Sequence, residues 1–314
     1  QLKTIIMKKL FTLYTALLIV VSMSAQITFC EDFESLTVGD PIAETSPHWN
    51  SWGELMTGTV VPFIDDAGIS NTQFSSGSNS LYFPPTTADG PEDIILIFDT
   101  ITSITQATLP TLSTPYVTGD FVFSQMMYVR GGTGAYFNFQ AENTPGISWA
   151  LQVTFTDNGT QTGDILMDNT SGTTFNAEYP INTWFEIKFE IDLSNNNWEV
   201  FIDGVSFGSF ANAINKLASL DLFPRANDEF YVDDVCYSYT PATLANINGQ
   251  VLNTSTITGL AGQTRYPSVE IRNFGLNTIN SYDVTFDYNG SQITENLTLP
   301  NINLGLGLSS LQVM

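Results

Sequence analysis

Histidine is almost missing from this chain, which has only His48, and cysteine is scarce, with Cys30 and Cys236 alone. One imidazole excludes a histidine-rich zinc centre, and two distant thiols cannot complete a structural zinc site. Basic residues are also few: 9 Lys+Arg stand against 32 Asp+Glu, for a net charge of -23. A field of that sign repels phosphate and disfavours nucleic acids and anionic membrane surfaces as partners. No Gly-Lys-Ser/Thr phosphate loop and no dinucleotide-binding glycine fingerprint occur. His48 lies in the loop Pro47-His-Trp-Asn-Ser-Trp52, with no nucleophile elbow elsewhere for it to serve, and reads as a surface residue.

Long apolar runs are missing as well. The longest, Leu10 to Val21, is shorter than the roughly 20 residues that a membrane-crossing helix needs. It follows Met7-Lys8-Lys9 and precedes Ser22-Met23-Ser24-Ala25, the order of a secretory signal peptide cut near Ala25. Residues 1–25 are therefore expected to be upstream residues and an export signal, with Met7 the natural start. The mature chain is expected outside the cytoplasm or at the cell surface, and not inserted in a membrane.

Export makes the two cysteines informative, because an oxidising compartment permits a disulfide. Each sits in a strand-like run, Gln26 to Glu34 and Phe230 to Tyr237. If those runs are antiparallel neighbours the sulfurs can meet; two separately buried thiols are the alternative. The stretch between them is rich in aromatic and β-branched residues, with apolar and polar positions alternating in Gly119–Val129, Ala135–Gln140, Ser148–Phe155, Trp184–Ile191 and Trp198–Ile202. Turns such as Arg130–Gly134, Asp157-Asn-Gly159 and Asp203-Gly204 separate them. Only Phe210 to Leu220 suggests a helix. The expectation is an all-β fold, a two-sheet antiparallel jelly-roll sandwich over residues 26–240.

Several segments in this range carry a resemblance. Asp32-Phe33-Glu34, the Ser75-Ser-Gly-Ser-Asn-Ser-Leu-Tyr82 turn and strand, Glu190-Ile-Asp192 leading to Asn197-Trp-Glu-Val-Phe-Ile-Asp-Gly204, and Phe230-Tyr-Val-Asp-Asp-Val235 occur in an order that resembles the concanavalin A-like lectin/glucanase jelly rolls of laminin-G and MAM type. The resemblance implies glycan or protein recognition more often than hydrolysis. Hydrolases of that superfamily carry Glu-x-Asp-x-x-Glu on one strand, so that two carboxylates face the cleft. Glu190 and Asp192 match its first half, but Ser194 and Asn195 follow where the acid should come. Without a proton donor for the leaving oxygen, Glu190 and Asp192 read as solvated or turn-forming, and no catalytic residue is assigned.

A hard cation is the other candidate chemistry. Pairing the two cysteine runs would bring Asp32, Glu34, Asp233 and Asp234 into one corner, and oxygen ligands without histidine suit Ca²⁺. The resemblance implies a structural Ca²⁺ held by Asp32, Glu34 and Asp234; alternation that turns these carboxylates to water is the alternative. For a ligand surface, Trp49 and Trp52 lie in a polar loop, while Tyr136 and Trp149 flank glycine-rich turns, where flat rings can stack on sugar faces. Trp184 and Trp198, at strand starts, read as core.

A second unit is expected over residues 241–314. Pro267-Ser-Val-Glu-Ile-Arg-Asn-Phe-Gly275, Asn280–Val284 and Tyr288-Asn-Gly290 look like the CARDB-type immunoglobulin-like domains of bacterial surface proteins. About four strands can be read where a full sandwich needs about seven, so this partial immunoglobulin-like sandwich reads as truncated. Two functions survive: a secreted recognition module for polysaccharide or a surface glycoconjugate, or a piece of a larger secreted hydrolase or a divergent glycosidase.

Overall fold

The structure, a computed structural model, describes residues 26–46, 48–57, 65–98, 115–142, 144–169, 174–242, 249–254, 268–273, 279–288, 291–302 and 307–312. The proposed export signal in residues 1–25 lies outside the described residues. Among the described residues no helix is long and apolar enough to cross a membrane.

Strands dominate because the alternating runs bury one face each. The elements up to Thr240 are β1 (Ile27–Glu31), α1 (Ile42–Thr45), β2 (Trp49–Ser51), α2 (Trp52–Thr57), β3 (Gly68–Ser70), β4 (Ser80–Phe83), β5 (Ile94–Ile97), β6 (Asp120–Val129), β7 (Gly134–Gln140), β8 (Trp149–Asp157), β9 (Thr162–Asp168), β10 (Thr174–Pro180), β11 (Phe185–Asp192), β12 (Asn197–Ile202), β13 (Val205–Phe210), β14 (Ser219–Leu222) and β15 (Phe230–Thr240). One antiparallel sheet has the order β13-β12-β11-β6-β15-β4-β3, with β1 also on β15; the other runs β10-β9-β8-β7-β14-β5-β2. The two sheets form the expected jelly-roll sandwich.

Phenylalanine fills the space between the sheets. Phe123, Phe139 and Phe189, contributed by β6, β7 and β11, are all fully buried. Phe139 meets Phe123 edge-on at 5.1 Å and Phe189 edge-on at 5.3 Å, so its ring joins the layers. Trp198 is buried as expected, its indole N–H donating to Asn215 Oδ1 at 3.0 Å. The segment expected to be a helix is not one: β13 runs to Phe210, residues 211–218 form an irregular connection, and β14 begins at Ser219. Here side-chain bonds across the chain replace helical backbone bonds. Asn212 N–H donates to Asn196 Oδ1, and Asn215 Nδ2 donates to the Leu193 carbonyl at 2.6 Å.

The ends of the sandwich meet as the cysteine runs require. β1 pairs antiparallel with β15 in a register that sets Cys30 opposite Cys236, and the two form a disulfide. Beyond Thr240, β16 (Gly249–Thr254), β17 (Ser268–Asn273) and β20 (Gly307–Gln312) make a three-stranded antiparallel sheet, while β18 (Ile279–Tyr288) pairs with β19 (Ser291–Ile302). Phe274, Gly275, Asn289 and Gly290, part of the motif read there, lie outside the described residues.

Candidate functional site

Two places gather the residues singled out in the sequence: the acidic corner beside the disulfide and the outer face of the β10-to-β2 sheet.

In the corner, Glu34, just after β1, and Asp233 and Asp234 of β15 meet one loop, the serine-rich 75–79 turn before β4. Glu34 Oε1 accepts the backbone N–H groups of Ser78 and Asn79, both at 2.7 Å, and Asp233 Oδ2 accepts those of Ser75 (2.8 Å) and Ser76 (3.1 Å). Asp234 Oδ1 accepts the Ser76 hydroxyl at 2.8 Å, and Asp32 Oδ1 accepts the Glu34 N–H. Gly77 has a left-handed backbone, φ +55°, and a Cβ there would fall within 2.7 Å of the Glu34 carboxylate, so only glycine fits. The pairing of β15 with β6 slips between Asp233 and Cys236, so that Asp234 and Val235 together stand against Gln125, and Asp234 takes a left-handed backbone, φ +47°. Burial raises the Asp233 pKa to about 6, against the lowering by its N–H donors. Among the described residues no group of three or more Asp, Glu, His or Cys side chains that could hold a metal ion is found. Glu34, Asp233 and Asp234 anchor the 75–79 loop. Asp233→Ala, which orphans the N–H groups of Ser75, Ser76 and Asp234, is expected to lower the unfolding free energy by about 2–3 kcal/mol. Urea titration checks this, and a loss below about 0.5 kcal/mol would contradict the anchoring role.

The outer face of the second sheet is different in kind. Register places Asp168, Gln152, Asn138 and Asp221 side by side across β9, β8, β7 and β14, a polar row from four strands. Tyr136 lies two residues from Asn138 on the same face of β7. Trp149 reaches this face through an irregularity: pairing slips after Phe139, so Trp149 stands opposite Gln140, and Ala150 is the extra residue. Trp52 comes from α2, its N–H donating to the Asp93 carbonyl at 2.8 Å. Its indole lies directly over Gly146, whose φ is +83° and where a Cβ would sit 2.9 Å from the ring. The three rings line one cleft of about 530 Å³ together with Gln152, Asn138 and Asp221 of the polar row.

The cleft floor is held rigidly. Asp221, fully buried between Leu220 and Leu222, accepts Asn138 Nδ2 at 2.7 Å and Gln140 Nε2 at 3.3 Å on Oδ2; Gln140 also donates to Asn138 Oδ1 at 2.6 Å. Its Oδ1 is buried with no amide or hydroxyl donor, and so is Oδ1 of Asp93, the carboxyl group with which Asp221 hydrogen-bonds. Desolvation, reinforced at Asp93 by the charge of Asp221, raises both pKa values, so this pair retains a shared proton at pH values where an exposed aspartate is ionised. Tyr136 donates its hydroxyl to Gln152 Oε1 at 2.9 Å, and the Arg225 guanidinium lies 5.6 Å from its ring while pairing with Asp228 at 3.5 Å.

Three of the four aromatic residues read as a ligand surface, Trp52, Tyr136 and Trp149, are thus brought together. Trp49 is not among them: it is 1% exposed, opposite Leu96 on the core face of β2, with its ring 6.2 Å from Phe33. Glu190 and Asp192 are on β11, in the other sheet. Glu190 pairs with Lys188 at 2.7 Å, and Asp192 accepts the Asn195 backbone N–H and Nδ2, a turn-forming role. His48 is half-buried against Phe29, with ring centroids 4.8 Å apart. Sequence reasoning missed Asp93, Asn138, Gln152 and Asp221. Their one signal was the polar residue recurring at outward positions of strongly apolar strands.

No protein-family model and no curated protein matches the chain. Among solved structures it is similar to the globular domain of T. cruzi calreticulin, at 13% identity and TM-score 0.42, over 67% of this chain and 86% of that one. A family GH16 endo-β-1,3(4)-glucanase matches at 11% identity and TM-score 0.38 over 69% of this chain and 92% of its own. A carbohydrate-binding module from Bacillus subtilis matches at 9% identity and TM-score 0.33, over 61% and 95% respectively.

Proposed function

We propose that the chain is an extracellular or cell-surface module that binds polysaccharide or a surface glycoconjugate in the cleft of the β10-to-β2 sheet, without cleaving it. The observation that carries this reading is the convergence of Trp52, Tyr136 and Trp149 from three separate segments around a row of fixed amide and carboxyl groups. Rings accept the apolar faces of sugars, and amides and carboxyls accept and donate to their hydroxyls. Rigid placement lowers the ordering cost of binding. The disulfide supports an oxidising location.

Hydrolysis fits this geometry less well. Glycosidases hold their two carboxyl groups about 5–9.5 Å apart, to leave room for the scissile bond or a water. Asp93 and Asp221 hydrogen-bond to one another and leave no such gap.

Calorimetry of the full chain against a panel of neutral, amino and acidic polysaccharides, with reducing-sugar release measured alongside, tests the reading. Binding without turnover is expected, and Trp52→Ala and Tyr136→Ala should each weaken it about tenfold, the worth of one stacking ring. Phe207→Ala, at an exposed ring on β13 in the other sheet, should leave it unchanged. Retention of full affinity by both cleft variants, or turnover of any glycan, overturns the proposal.

A further inference from the structure

Resting on the glycan reading of the cleft, a second question is which sugars it takes, and the charges around its floor bear on it. Asp93 and Asp221 form the floor, and Asp89 also lines the cleft. Asp65 acts on Asp93 through its charge, and Asp168 acts on Tyr136 in the same way. Against these five carboxyl groups stands one guanidinium, Arg225, already paired with Asp228. A uronate or sulfate would meet this field with its own negative charge.

The floor itself lacks donors. Asp221 is 2% exposed, and its Oδ2 is satisfied by Asn138 and Gln140, but no amide or hydroxyl donor reaches its Oδ1, so the pair depends on the hydrogen bond between its two carboxyl groups. The same is true of Asp93 Oδ1. A buried pair of this kind is relieved by a proton or by a cation. A sugar hydroxyl supplies a hydrogen bond but no charge. An ammonium group supplies both, and the aromatic walls of Trp52, Tyr136 and Trp149 suit a cation, because ring faces carry negative charge.

We propose that the cleft selects glycans bearing free amino groups, with an ammonium of the ligand held over the Asp93–Asp221 pair. Asp221 is then a specificity-determining residue, and the ligand class is a cationic amino sugar.

The probes are a β-1,4-linked glucosamine hexamer and a β-1,4-linked glucose hexamer, which differ at C2 by ammonium against hydroxyl. Calorimetry with the full chain at neutral pH should show the glucosamine hexamer binding at least about tenfold tighter. In Asp221→Asn the new Nδ2 can donate to Asp93, so the floor stays bonded but loses one of its carboxyl groups and the negative charge that group can carry. That variant is expected to bring the ratio of the two affinities close to one, while its affinity for the glucose hexamer changes less than about threefold. A purely structural role for Asp221 would weaken both ligands alike and leave the ratio standing. Equal or tighter binding of the glucose hexamer, or binding of any neutral polysaccharide of the panel with none of the glucosamine hexamer, overturns the amino-sugar proposal and leaves the glycan reading intact. Silence from every glycan tested overturns the glycan reading itself.

Discussion

Replacing both cysteines by serine, Cys30→Ser with Cys236→Ser, should lower the melting temperature by about 10–15 °C. The disulfide spans 206 residues of sequence and joins the first and last strands of the sandwich. On the chain-entropy account, closing a loop of that length restricts the unfolded chain by about 5 kcal/mol, and measured losses for native disulfides run from about 2 to 5. For a domain of this size each kcal/mol moves the midpoint by about 2–4 °C. Cys30 is exposed, so reduction of the native protein should reproduce the shift. Thermal unfolding followed by circular dichroism, with and without reductant, gives the comparison. A double variant melting within about 2 °C of the native protein would show that β1 is held on β15 by its backbone ladder alone.

That staple was legible because it needed only local patterns and a compartment. Two strand-like runs, each with one cysteine, and the expectation of export make one pairing possible. The sandwich itself was legible for the same reason: in Phe185–Asp192 every second side chain is apolar, in Asp120–Val129 all of that set but Gln125 are, and the structure buries both sets. Residues 211–218 were misread because their alanines, isoleucine and leucine have a helix-like spacing. What decides their conformation is Asn212 and Asn215, whose partners at Asn196, Leu193 and Trp198 lie 16 to 22 residues away in sequence. No local pattern carries that information.

The cleft was half legible. Glycine-rich turns beside Tyr136 and Trp149 marked them as exposed rings, and the loop around Trp52 did the same. Trp49 shared the loop but belongs to a three-residue strand whose alternation sends it to the core. Asp221 was invisible as a site because its meaning comes from β14 lying between β5 and β7, a long-range pairing that sets it beside Asn138 and brings it to Asp93. In the corner the sequence showed four carboxylates but not the N–H donors that satisfy them. Those donors come from the 75–79 turn, about 40 residues from Glu34 and almost 160 from Asp233.

The buried acid pair should also be visible in the pH dependence of stability. In the unfolded chain Asp93 and Asp221 ionise near the ordinary value of 3.8, and in the folded protein both are raised by burial. The folded state therefore binds more protons than the unfolded state above that pH, and by linkage the unfolding free energy falls as pH rises. The stabilising contribution of protonation is complete below about pH 4 and is lost as the pH climbs through the raised range. Asp66 and Asp233, both raised to about 6, add slopes of the same sign between about 4 and 6, so the pair must be isolated by difference. The variant Asp93→Asn with Asp221→Asn keeps shape and hydrogen-bonding capacity: one amide N–H can replace the shared proton, and the amide oxygen at 221 can still accept from Asn138 and Gln140. Relative to the native protein this variant should gain about 2–4 kcal/mol between pH 4 and pH 8, the scale of one buried carboxyl group forced to ionise against a neighbour. Urea unfolding at pH 4, 6 and 8 measures the difference directly. A difference constant to within about 0.5 kcal/mol across that range would mean that the two carboxyl groups ionise as freely in the fold as in the open chain, and the cleft floor would lose the strain that makes it receptive to a cation.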